Sequence, residues 1–207
     1  MAKSKIRRKS KRSPSPQAKA AENTAKAKTS AIKIAVAAGL VAAAGWWWYG
    51  NQQAEELFFD HVRAGAGTLD RVERHADHGT SGHLTPGERV NYGTNTPTSG
   101  RHDGRPVTPG VYTSVQAPTK LVHSLEHGLV VVYYDRLSAE AMATLEDWSG
   151  LYGGPFSGIV VTRLPGLGDG LLLTAWRKSL SLDGFDADAA ALFIDAYRGR
   201  GPENPIR

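Results

Sequence analysis

The sequence predicts a single small α+β domain, a mixed sheet with a strand-helix-strand-strand-helix core, set behind an N-terminal transmembrane helix. Three observations lead there. Leu129–Tyr134 (LVVVYY) is an unbroken run of β-branched and aromatic residues, as in a central strand covered on both faces. Ser138–Leu151 and Asp188–Arg198 carry apolar residues at helical spacing, with two further strand-like runs between them. Ile34–Tyr49 (IAVAAGLVAAAGWWWY) is uncharged throughout and directly follows Lys33.

The chain has 207 residues, enough for one compact domain plus appendages. Residues 1–33 hold eleven Lys or Arg and a single acid, Glu22, so the head carries a charge of +10 and the remaining 174 residues carry −5. The head has almost nothing to place in a core and reads as a disordered basic tail on the cytoplasmic side. A nucleic-acid partner is not expected, because the folded part is acidic.

Residues 34–50 read as a single-pass helix through a lipid bilayer, with Ala31 and Ile32 extending the apolar length past a snorkelling Lys33. Trp46, Trp47, Trp48 and Tyr49 suit the headgroup level, and the Lys/Arg excess before the span puts residues 51 onward outside the cytoplasm. A cleaved signal peptide using Ala42 and Ala44 and a buried soluble helix are the competing readings. Residues 51–82 read as stalk and linker: a short helix with Leu57, Phe58 and Val62 on one side, then a stretch rich in Gly, His and charge. His61, His75 and His78 are taken as solvent-exposed.

The extracytoplasmic domain covers 83–207. A short strand is expected at Arg89–Tyr92 after the Pro86-Gly87 turn, an irregular loop over 93–110, and strands at Gly158–Leu164 and Gly170–Arg177 around the turn PGLGD. Ser138 and Asp188 are the expected helix N-caps, with Ala141, Met142, Leu145 and Trp148 inward on the first helix and Ala190, Phe193, Ile194 and Tyr197 on the second. The element order also matches the later half of a thioredoxin-like fold, but the chain has no cysteine, which excludes thiol redox chemistry and disulfides.

Function is concentrated in Thr96–Tyr134, which holds His102, His123 and His127 beside Glu126. Imidazole suits copper and zinc, and two histidines four apart share a face if Val122–Gly128 makes a helical turn that Gly128 ends. In that case His102, His123 and His127 hold the metal with Glu126 as ligand, partner or proton acceptor, and His83 is an additional ligand. The alternative is structural, with the histidines fastening a Gly/Pro-rich loop to the sheet through buried hydrogen bonds. The spacing also fits H-x-x-E-H, the inverted zinc-protease pattern, although Gly128 and the valines after it end any helix at once.

Pro97-Thr98-Ser99-Gly100 with His102, Gly110-x-Tyr112, His123-Ser124-Leu125-Glu126-His127-Gly128 with Val130 and Val131, Ala175-Trp176, Phe185-Asp186 and Pro202-Glu203 together resemble a bacterial family catalogued as domain of unknown function 3105. The chain departs from it in having Thr96 and Arg101 where the family often has proline. The resemblance implies a bacterial, single-pass membrane protein with an extracytoplasmic domain and supplies no activity. Three functions are therefore expected from different classes: a membrane-anchored domain binding copper or zinc, a metal-free envelope interaction module, and a zinc-dependent hydrolase.

Overall fold

The computed structural model describes residues 15–77 and 82–207. The chain divides into two compact units between Gly50 and Asn51, a boundary that falls within helix α1 (Pro16–Ala64).

In the first unit the chain is helical from Pro16, where composition had suggested an unstructured tail over 1–33. The repeated alanines of this stretch are the best helix formers and account for the difference. Residues 1–14 of the expected tail lie outside the described residues. Further along the helix Ile34, Leu40, Val41, Trp46 and Trp47 are 67–82% exposed. Among the described residues no helix is long and apolar enough to cross a membrane. The six alanines and three glycines between Ile34 and Gly50 present less apolar surface than a span rich in Leu, Ile and Val.

The second unit begins at Asn51, earlier than the boundary at 83 that the sequence suggested. Residues 51–64 are no detached stalk. Phe58 is fully buried, with its ring edge-on to Trp148 and Tyr152 at centroid distances of 5.3 and 5.0 Å, while Leu57, expected on the same side, is exposed. The expected linker also contributes structure: a 3-10 turn, Thr68–Arg71, leads to strand β1 (Glu73–Arg74).

Two short strands, β2 (Gly82–His83) and β3 (Arg101–His102), pair in parallel as a separate ribbon. Strand β4 (Gly110–Val111) and helix α2 (Pro118–Glu126) lead into β5 (Val130–Tyr134). There follow α3 (Ala139–Leu151), β6 (Ile159–Arg163), β7 (Leu171–Ala175), β8 (Lys178–Leu182) and α4 (Ala187–Tyr197). The six-stranded sheet runs β1-β8-β7-β5-β6-β4. It is mixed: β4, β5 and β6 pair in parallel, while β5 with β7, β7 with β8 and β8 with β1 are antiparallel.

The alternation of β5 builds two cores. Val130, Val132 and Tyr134 face Leu145 and Trp148 of α3 and Phe193 and Ile194 of α4, whereas Val131 and Tyr133 face Leu121 and Leu125 of α2. Ser138 caps α3 as expected, its hydroxyl accepting from the Ala141 N–H at 3.2 Å. The cap of α4 is Asp186, which accepts from the Ala189 N–H at 3.0 Å, and Asp188 instead meets His61 at 2.6 Å. His61 is therefore partnered, although partly exposed. So is His75, whose Nε2 lies 2.7 Å from the Ser179 hydroxyl; His78 lies outside the described residues.

Two strand expectations need correction. Arg89–Tyr92 forms no strand, because no neighbouring strand offers it a ladder, and the Tyr92 hydroxyl instead donates to the Arg101 carbonyl. The run Gly170–Arg177 is the first arm of a hairpin whose second arm, β8, the sequence reading missed. The two-residue loop is Trp176-Arg177, with Ala175 opposite Lys178, and Arg177 takes the left-handed conformation (φ 58°) that Asn or Gly would have signalled. Within the expected irregular loop over 93–110, residues 101–102 and 110 are in strand pairings.

Candidate metal centre

Helix α2 presents the central residues and ends in a motif that aims them. Pro118 occupies its first turn, where a missing N–H costs nothing. At the other end the Leu129 N–H donates to the Ser124 carbonyl and the Gly128 N–H to the Leu125 carbonyl, the Schellman pairing, with Gly128 at φ 95°. The turn leaves His123 and Glu126 on the last helical turn and His127 at the cap.

The loop before the helix is pinned to it. The Ser124 hydroxyl donates to the Val107 carbonyl and accepts from the Val107 N–H, each at 2.9 Å, and the Asp103 N–H donates to the Thr119 carbonyl. His102 is thereby carried, fully buried, onto His123, and the β2–β3 pairing sets His83 opposite His102. Ring centroids are 4.8 Å apart for His102–His123, 4.8 Å for His83–His123 and 5.3 Å for His83–His102.

Tautomers follow from the backbone. The Nδ1–H of His102 donates to the Gly100 carbonyl at 2.9 Å and that of His123 to the Asp103 carbonyl at 2.7 Å, since a carbonyl can only accept. Each imidazole keeps Nε2 for another partner. Nε2 of His102 lies 3.0 Å from the Glu126 carboxylate yet off the line of a hydrogen bond, so this buried nitrogen has no hydrogen-bond partner. Burial, above all, pushes the His123 imidazole below its ordinary value, and His127, His102 and His83 push the same way against the Asp103 carbonyl. Near neutral pH it is then uncharged, the form that ligates metals.

His83, His102, His123 and Glu126 each bring one ligand atom within 4.8 Å of the others, a group able to hold a metal ion. Tetrahedral bonds of about 2.1 Å set ligand atoms about 3.4 Å apart, so binding would draw the outermost atom inward by about an ångström, a movement open to the exposed His83. His127 is not in this group. Its ring stacks on Phe156 at 4.6 Å, its Nδ1–H donates to the Pro155 carbonyl at 3.3 Å, and its Nε2 meets the Glu203 carboxylate at 2.8 Å. With His123 these two form a second group of ligand atoms within 4.8 Å. Sequence spacing thus brings His123 and His127 together, with rings 4.6 Å apart, while the carboxylate that His127 meets is Glu203 rather than Glu126.

Glu203 was missed as a site residue, its only sequence signal being the C-terminal Pro-Glu of the family resemblance. It is delivered by close backbone packing. The Gly199 N–H donates to the Gly128 carbonyl and the Glu203 N–H to the Glu126 carbonyl, and a Cβ at Gly201 would lie 2.1 Å from the Glu126 oxygen.

Fold and site define an α+β domain with a histidine-carboxylate cluster between a loop ribbon and the end of a helix. Residues 83–206 match a family model described as a protein of unknown function, DUF3105, and the chain belongs to that family. No curated protein and no solved structure matches it.

Proposed function

We propose that the domain binds a divalent transition metal ion, copper or zinc, through His102, His123 and Glu126, with His83 as the fourth ligand. The observation that carries this reading is Nε2 of His102. It is buried and without a hydrogen bond, and it lies 3.0 Å from a carboxylate oxygen. Such a contact is relieved by a proton on the imidazole or by a metal ion held between the two atoms, and nitrogen and oxygen ligands of this kind suit zinc and copper. The test is metal analysis of the full chain before and after dialysis against a chelator. About one equivalent of zinc or copper that also raises the melting temperature is expected. A chain that takes up neither ion, and melts identically with and without EDTA, returns the histidines to a structural role.

We also infer that the domain is held at the outer face of a cytoplasmic membrane by residues 34–50. The support is the basic head before an uncharged stretch, together with apolar side chains exposed along that stretch, Trp46 among them at 82%. A reporter active only in the cytoplasm, fused after Arg207, is expected to be silent, and a strong signal overturns the assignment.

A further inference from the structure

The two ligand groups are built alike. His102 with Glu126, and His127 with Glu203, each consist of an imidazole whose Nδ1–H is given to a backbone carbonyl and whose Nε2 meets a carboxylate, at 3.0 and 2.8 Å. His123 stands between them, its ring 4.8 Å from that of His102 and 4.6 Å from that of His127. Because its Nδ1–H is committed to the Asp103 carbonyl, it has one lone pair to offer, at Nε2. One neutral imidazole nitrogen ligates one ion, so the two groups cannot each draw on His123 at the same time.

The carboxylates of the two groups differ in exposure. The Glu126 side chain is 15% exposed and His102 is fully buried, whereas the Glu203 side chain is 47% exposed. Counting ligands, the first group offers four and the second three. We propose that the groups are two alternative positions for a single divalent transition metal ion, a stable one at His83, His102, His123 and Glu126 and a transit one at His123, His127 and Glu203, between which His123 passes the ion. The more exposed carboxylate of the transit position makes it the place where the ion is exchanged with solvent or with a donor. This inference rests on the metal-binding reading above and adds a second ligand set to it.

The test uses the full chain, with zinc and with cobalt(II), whose visible absorption reports its ligand set. Wild type is expected to bind one equivalent. His102→Ala is expected to bind one equivalent still, with affinity reduced by more than about tenfold and a changed cobalt spectrum, because the ion moves to the transit position. Adding Glu203→Gln to that variant should cost at least about a further tenfold. In the otherwise unaltered chain, Glu203→Gln should slow removal of the ion by EDTA. His102→Gln, closer in volume, replaces the alanine variant if the latter does not fold. Two equivalents in wild type, or no binding by the folded His102 variant, overturns the shared-ion proposal while leaving metal binding intact. No binding by wild type overturns both.

Discussion

At the scale of single residues the decisive chemistry is which nitrogen each histidine keeps. Backbone carbonyls at Gly100, Asp103 and Pro155 take the Nδ1–H of His102, His123 and His127, so the nitrogens left for chemistry are all Nε2. Fixing the tautomer and ring orientation in this way is a common role for the partners of metal ligands. It also gives Glu126 a definite task, since its carboxylate lies 3.0 Å from the buried His102 Nε2. Glu126→Gln keeps the shape and removes the charge, so affinity for zinc is expected to fall by at least about 10-fold, while the melting temperature in EDTA changes little. Equal affinity in the variant, measured by competition with a chromophoric chelator, would take Glu126 out of the ligand set. The sequence showed that His123 and His127 are neighbours, because four residues of helix fix that spacing. It did not show that His83 takes the place beside His102 and that His127 turns to Glu203, because both depend on segments remote in the chain.

Among the elements, the end of β5 carries a charge-dependent lock. Asp135 accepts from the Arg163 guanidinium at 2.6 Å and from the Gly166 N–H at 3.0 Å, joining the strand end to β6 and to the turn that follows it. Arg163, above all, and then the Gly166 N–H hold this carboxyl below its ordinary value. A carboxyl lowered by folding stabilises the protein above the unfolded value, about pH 4, and that contribution is lost as pH falls through the lowered folded value. The urea midpoint of Asp135→Asn should therefore lie below wild type at pH 7, and the gap should close toward pH 3. A gap of the same size at both values would mean that shape rather than charge matters there. The elements legible in advance were those whose signal is local. Pattern located β5, α3 and β6, whereas the β7–β8 hairpin was hidden because its left-handed residue is Arg177. Asp186 and Asp188 both suit an N-cap, and only the backbone position chose between them.

For the molecule as a whole, the folded unit reaches back to Asn51, and Phe58 is the fully buried residue by which this part of α1 enters the core, with Phe59 and Val62 packed beside it. Phe58→Ala should cost about 3–5 kcal/mol in denaturant unfolding, the range for a fully buried aromatic. A loss below about 1 kcal/mol would restore residues 51–64 to the status of a loose stalk. By itself the sequence determined the α+β class and the doubly covered central strand, and it marked Gly128 as the place where a helical turn carrying the histidines would end. Each of these follows from periodicity, composition or a turn residue, properties carried within a few neighbouring positions. Tertiary structure alone decided that a helix outside the matched domain supplies a core aromatic, that β1 closes the sheet edge against β8, and that Gly128 and Gly201 pack closely enough to bring Glu203 to His127. Those outcomes depend on contacts between segments tens of residues apart, whose pairing is set by packing and backbone hydrogen bonds that no local pattern encodes.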